Sequence, residues 1–578
     1  MKKAPSLVIA LVAILTLIMN LGCEKPPPLK DVKVIVPQTE TETKPTTEAP
    51  QKVKNVIFMI GDGMGVGQVS QAVLYRQIRN PNGAKLNLEK LLAGHSGLMT
   101  TYSYTDVVVD SASAATSMAC GIKTISEVIG MDPQGYPCET VLEKATKLGK
   151  ATGLVSNTRL SHATPGAFAS HRISRSEEAN IADDHIEKHN VDLFLDGGLS
   201  FLIPQYKDPA TKTPMKLSDI PECAGVDSSI DGKSKREDQK NLIDVAKQKG
   251  YQFVCTRQQL DALTLDANSK VLGVFTNSTF PMIQERRQLA SVPSVAHMTE
   301  KALELLSKKP EGFFLMVEGG LIDYAGHDND PGTLLQETLD FDEALGVAIK
   351  FVETHPDTLL LVTADHETGG FGFSYAKKDK VETSLPSGLI HPEKYDFANH
   401  AKFDLLMKQN KSFRALVESP VKKLYPKDPK VDKPITMIEA AKMLAEDITK
   451  NTAYVLSDAE LQKALTRKPG AKDFETCDFA EFYPYESVHS DALGRAVAKQ
   501  SNAVWATGTH TASPVLVFAM GPEKYASVVR GMIDNTDIAH IINAAFNGVD
   551  YQPKKLVLKG QGVPESSPTE TKPSVPLQ

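Results

Sequence analysis

The sequence lacks a basic excess: 64 Lys and Arg stand against 71 Asp and Glu, for a net charge of -7. That excludes the electrostatic footprint of a nucleic-acid-binding protein. It also lacks repeated long apolar runs, and a mean hydropathy of -0.22 excludes a multi-span membrane protein. Cysteine is scarce, at six residues, and no CxxC pair exists. The five cysteines after Cys23 are scattered and odd in number, so spacing alone yields no disulfide connectivity. Cys223 with Cys255 is the first pairing to test.

What remains is an ordinary globular balance, 41% hydrophobic and 23% charged, with length for a large core and an insertion. Lys2 and Lys3 precede an apolar run from Leu7 to Met19 and then Leu21-Gly22-Cys23. This reads as an export signal over residues 1–22, similar to a bacterial lipoprotein signal with Cys23 as the lipidated residue. Asn20 departs from that pattern, which prefers Leu there. Residues 23–51 are rich in Pro, Thr, Glu and Lys and read as a disordered tether. Residues 559–578 read as a disordered tail. The expected location is the periplasm or cell surface, tethered through Cys23.

The chain is organised around TDVVVDSASAATSMACGIK, residues 105–123. A β-branched run stops at Asp110, and small helix-forming residues follow. An extended segment turning into a helix puts Ser111 in the first turn, among free N–H groups that favour an anion. An ordinary capping role accounts for Asp110 and Ser111 equally well when this stretch is taken alone.

Other segments repeat one pattern, an apolar strand followed by polar residues. VKNVIFMI ends at Gly61-Asp62-Gly63. ATGLVS, residues 151–156, leads to a loop holding His162, Thr164, His171, Arg172 and Arg175. The strand 313–317 leads to Glu318, Asp323 and His327, the last two four apart and so on one helical face. The strand 357–363 leads to Asp365-His366, and His510 precedes the strand 514–520. Strand–helix alternation predicts an α/β fold, a mostly parallel sheet with helices on both faces. A parallel sheet brings such loops to one edge, where ligands bind. Histidine with carboxylate suits zinc; Asp, Thr and Glu oxygens suit magnesium. Residues 375–500 break the alternation and read as an inserted cap between two core segments, 52–374 and 501–558.

GDGMG at Asp62, TDxxxDSASAAT at Ser111, HATP at Thr164, EGGxIDxxGH at 318–327, TADHE at 363–367 and GTHT at 508–511 resemble the alkaline phosphatase family. The resemblance implies Ser111 as the nucleophile that becomes phosphoserine, and Arg175 as the phosphate clamp, with Arg172 the residue it is most easily confused with. It implies one zinc held by Asp323, His327 and His510, and a second by Asp62, Asp365 and His366. Magnesium falls to Asp62, Thr164 and Glu318. The implied substrates are small phosphate monoesters, with no need for nucleic acid, and the implied assembly is a homodimer.

Two positions depart from some family members. His162 stands where Asp occurs, and an imidazole holds magnesium's waters less well, so weaker magnesium binding is expected. Tyr324 stands where Lys occurs, which predicts faster phosphate release. Two alternatives compete: a metal-dependent phosphodiesterase of the same superfamily, and a tethered, inactive binding homologue.

Overall fold

The computed structural model describes residues 52–466 and 488–553. The signal, Cys23, the tether and the tail expected from sequence lie outside the described residues. A single ten-stranded sheet dominates. In chain order its strands are β1 (Asn55–Gly61), β2 (His95–Thr100), β3 (Ala151–Arg159), β4 (Leu193–Gly197), β5 (Tyr251–Val254), β6 (Lys270–Val274), β7 (Phe313–Gly319), β8 (Thr358–Thr363), β9 (Val515–Met520) and β10 (Gly531–Asp534). Their spatial order is β10-β2-β9-β8-β1-β7-β3-β4-β6-β5. All neighbouring pairs are parallel except those made by β9, which runs against β8 and β2.

The central strands read as unbroken apolar runs because they are covered on both faces. Every residue of β1, β7 and β8 is buried. Each Ile, Leu, Val or Phe taken out of water there contributes about 1.5–3 kcal/mol. The register Ile60↔Glu318 and Ile60↔Thr363 aligns the carboxyl ends of β7, β1 and β8. Ser156↔Glu318 brings the end of β3 level with them. Four adjacent strands therefore deliver their trailing loops to one edge.

After the strand-following loop that holds Arg175, the chain is an α-helix from Glu178 to Asp183. It then widens into a π turn, Asp184–Lys188, which side-chain periodicity does not reveal. Cys223–Cys255 is a disulfide, and so is Cys120–Cys138.

Between Phe373 and Ala503 none of the described residues joins the ten-stranded sheet. This segment carries its own apolar cluster, with Phe413, Leu416, Leu444, Leu461 and Leu493 buried in it. Two short antiparallel ladders bracket it: Phe373↔Ala503 and, nearer the sheet, Thr368↔His510. It docks on the core through Asp330, whose carboxylate accepts from Phe413 N (2.7 Å) and Gln409 Nε2 (2.8 Å).

Candidate active site

Ser111 opens the helix Ser111–Cys120 and is buried. Asp110 is its N-cap, in extended conformation, accepting from the N–H groups of Ala112 and Ser113. This leaves the Ser111 hydroxyl directed elsewhere: Oγ lies 3.2 Å from His366 Nε2 and 3.5 Å from Asp62 Oδ2.

Asp62 follows β1 directly. Gly63 has a φ of +70°, and a Cβ there would stand 2.7 Å from the Asp323 backbone, so only glycine lets the two turns meet. The Gly63 N–H donates to Asp365 Oδ1 (3.1 Å), tying the loop after β1 to the loop after β8. Asp365 Oδ2 is 3.3 Å and Asp62 Oδ1 is 3.6 Å from His366 Nε2.

Asp323 and His327 share one face of the helix Leu321–His327, with Nε2 3.3 Å from Asp323 Oδ2. His510 enters on the Thr368↔His510 ladder, its Nε2 3.5 Å from Asp323 Oδ1. Glu318 is the penultimate residue of β7 and takes the hydroxyls of Ser156 and of Thr158 (3.0 Å) on one oxygen.

Three groups of metal-ligating atoms result, each with its members within 4.8 Å of one another: Asp323, His327 and His510; Asp62, Asp365 and His366; and Asp62, His162 and Glu318. Asp62 joins the last two. The buried oxygens Asp62 Oδ1, Asp365 Oδ2, Glu318 Oε1 and Thr164 Oγ1 have no hydrogen-bond partner. Such orphaned acceptors, clustered in the interior, fit cations and do not fit an apolar core. The electrostatics agree. Burial, then Asp365, Asp323 and Glu318, push Asp62 well above the usual carboxylate range. Burial and Asp323 push Asp365 up to about 7. Asp323 is the exception: burial would raise it, but His327 and His510 hold it well below the ordinary value. Repelling carboxylates of this kind invite positive charge.

Arg175 Nη1 donates to Asp110 Oδ2 (3.0 Å) and Nη2 to His162 Nε2 (3.2 Å). It therefore borders both the cap of the Ser111 helix and the third cluster. Arg172 instead forks onto Asp184, at 2.6 and 2.9 Å, away from Ser111. His162 is buried and held well below the ordinary imidazole range by burial, Arg159 and Arg175. Its Nδ1 has no partner. Sequence reasoning placed His162 beside a metal site; its ring is within reach of Asp62 and Glu318 themselves.

The Tyr324 ring stands between two cations. Its hydroxyl is 3.4 Å from Arg159 Nη1, and the Arg414 guanidinium lies 5.2 Å from the ring centre. Each is already paired, Arg159 with Glu178 and Arg414 with Asp328. Tyr324 and Arg414 line a cavity of about 840 Å³ that extends past Phe280, Met282 and Leu321.

Several residues here escaped sequence reasoning. Ser156 and Thr158 look like ordinary strand residues, and Thr368, which donates to Asp323 Oδ1 (2.5 Å), like a turn residue. Glu367 holds the scaffold together. It accepts from Gln68 (2.9 Å), Thr511 (2.5 Å) and the N–H groups of Gly370 and Phe371. Its place in TADHE was the only available signal.

A sequence profile described as alkaline phosphatase matches residues 53–547. Alkaline phosphatase 3 of Bacillus subtilis is 32% identical over 537 residues, spanning 90% of this chain and 94% of the relative. Alkaline phosphatase 4 of the same organism is 31% identical, spanning 93% and 96%. The crystal structure of Thermus thermophilus alkaline phosphatase superposes with a TM-score of 0.68 at 28% identity, covering 87% of this chain and 93% of that one.

Proposed function

Because the chain belongs to the alkaline phosphatase family, we propose that Ser111 is its nucleophile, working among two zinc ions and one magnesium ion. The enzyme hydrolyses phosphate monoesters; a diesterase or an inactive homologue is not favoured by the relatives it matches.

Asp323, His327 and His510 would hold one zinc, and Asp62, Asp365 and His366 the other. Asp62, Thr164 and Glu318 would hold magnesium, with His162 alongside. When bound, these ions supply Lewis-acid polarisation of phosphate oxygens and ease deprotonation of a hydroxyl.

The chain's own residues do the rest. Ser111 Oγ forms the new bond to phosphorus as the ester oxygen departs with its alcohol. Water then cleaves the phosphoserine, restoring the hydroxyl and freeing inorganic phosphate. Arg175 can grip two phosphate oxygens as a fork, which a lysine cannot. Asp110 aims that fork and caps the Ser111 helix at once. Burial of Asp62, His366 and Ser111 excludes bulk water from the nucleophile. In this reading the alcohol side would lie toward the cavity lined by Arg414 and by Tyr324, next to Asp323 in the chain. Residues 375–500 serve as a cap in this reading, supported by Arg414 at the rim. Export, a lipid tether at Cys23 and a homodimer complete it. Among the described residues, no helix is long and apolar enough to cross a membrane.

One observation carries the reading: the Ser111 hydroxyl sits 3.2 Å from His366 Nε2, beside buried acceptors that lack partners. The test is turnover of p-nitrophenyl phosphate and of its bis-ester by the parent and by Ser111→Ala, with metal content measured in both. The monoester should be preferred, and the variant should lose about 1000-fold or more while keeping its metals. A preferred diester, or an active variant, overturns it.

A further inference from the structure

A second meeting of metal-ligating side chains lies outside the catalytic site. Glu143 is in the first turn of the helix Val141–Lys147. His171 lies just past the helix Ala163–Ala169, and His189 closes the π turn Asp184–Lys188. Three separate elements thus present two imidazoles and one carboxylate to the same point, with their ligand atoms within 4.8 Å of one another.

The distances are informative. Glu143 Oε1 is 3.0 Å from His171 Nε2 and 3.5 Å from His189 Nδ1. Ligands of a tetrahedral zinc, at bond lengths of about 2.0–2.1 Å, stand roughly 3.3–3.4 Å apart. The two distances bracket that edge. One carboxylate oxygen thus faces a ring nitrogen from each of two histidines, the convergence that a shared cation requires.

The surroundings are those of a ligand set. His171 Nδ1 is 2.5 Å from the Gly130 carbonyl and donates to it, which leaves the Nε2 lone pair facing Glu143 in the neutral ring. Metal-ligating histidines are commonly fixed in this way. The other Glu143 oxygen accepts from Thr140 N (2.9 Å), which fixes the carboxylate. The adjacent Asp184 carboxylate is already taken by Arg172, Lys188 and Ser170. The side chains of Glu143, His171 and His189 are 16–20% exposed, so a water can reach a fourth position. Two imidazoles with one carboxylate favour zinc over magnesium or calcium.

We propose that Glu143, His171 and His189 form a zinc site with water in the fourth position, separate from the catalytic centre, that ties together the Val141–Lys147 helix, the segment leading to Arg175 and the end of the π turn.

The test uses the full chain, loaded with zinc, passed through gel filtration and analysed for zinc per chain. The parent should carry one more zinc than His189→Ala and than Glu143→Gln. Zinc added to parent stripped of metal should raise its Tm further than that of either variant. Glu143→Gln still offers an oxygen to the Thr140 N–H, so the comparison stands if His189→Ala fails to fold. Equal zinc content in the parent and the folded variants overturns the proposal.

Discussion

His327 Nε2 and His510 Nε2 face each other across 3.1 Å, from positions 183 residues apart in the chain. Both rings are locked from behind. His327 Nδ1 donates to the Gly508 carbonyl (2.6 Å) and His510 Nδ1 to that of Val109 (2.8 Å). In neutral rings the two front nitrogens therefore present lone pairs to each other and to Asp323. Such an arrangement needs a cation between its members, either a proton or a metal.

Removing metal should therefore abolish activity without unfolding the chain. Dialysis against a strong chelator should lower p-nitrophenyl phosphate turnover by at least about 100-fold, and zinc with magnesium should restore it. Turnover that survives complete removal, verified by elemental analysis, would contradict the donor assignment.

Arg175→Lys keeps the charge and loses the fork. A charged hydrogen bond contributes about 1.5–3 kcal/mol, so KM and the phosphate inhibition constant should rise about 10- to 100-fold. Steady-state kinetics with phosphate as inhibitor measures both. Values within twofold of the parent would rule out the clamp role.

His162→Asp exchanges a neutral, buried imidazole for a carboxylate beside Asp62 and Glu318. The magnesium concentration for half-maximal activity should fall, by about tenfold or more if the new oxygen engages magnesium's shell. A magnesium titration of the stripped, zinc-restored protein reads this directly, and an unmoved midpoint refutes it.

Glu337 lies in the long helix Pro331–Thr354, where burial and the neighbouring Asp340 push it up to about 8. A carboxyl raised in the folded state from about 4.5 contributes stability below pH 4.5 that is lost as pH climbs toward 8. The loss is of order 3–5 kcal/mol. Glu337→Gln removes it while keeping an acceptor for the Ile283 N–H, which Glu337 takes at 2.6 Å. Denaturant midpoints at pH 5 and pH 8.5 should show the variant gaining on the parent at the higher pH. A constant gap between the two curves would exclude the effect.

Much of the fold was legible because central parallel strands are buried on both faces, and VKNVIFMI or DTLLLVT can be little else. The clustering of candidate ligands was legible for a related reason: most of these polar residues follow closely on an apolar run, and strand ends converge. What stayed hidden was contact across long separations between residues with ordinary local roles. Ser156 and Thr158 sit in a strand pattern, yet both serve Glu318. Arg414 belongs to an amphipathic helix in the inserted segment, and only folding shows its fork on Asp328, at 2.9 and 3.0 Å. The Cys120–Cys138 link was unreadable because five scattered thiols fix no pairing.

The two short ladders at Thr368↔His510 and Phe373↔Ala503 act as a collar. Whatever hangs beyond it enters and leaves through neighbouring points, so its length has little leverage on the imidazole of His510. Chain added there costs only a slowly growing closure entropy. Descendants of this protein are thus free to reshape the inserted segment while inheriting the clustered side chains beneath it unchanged.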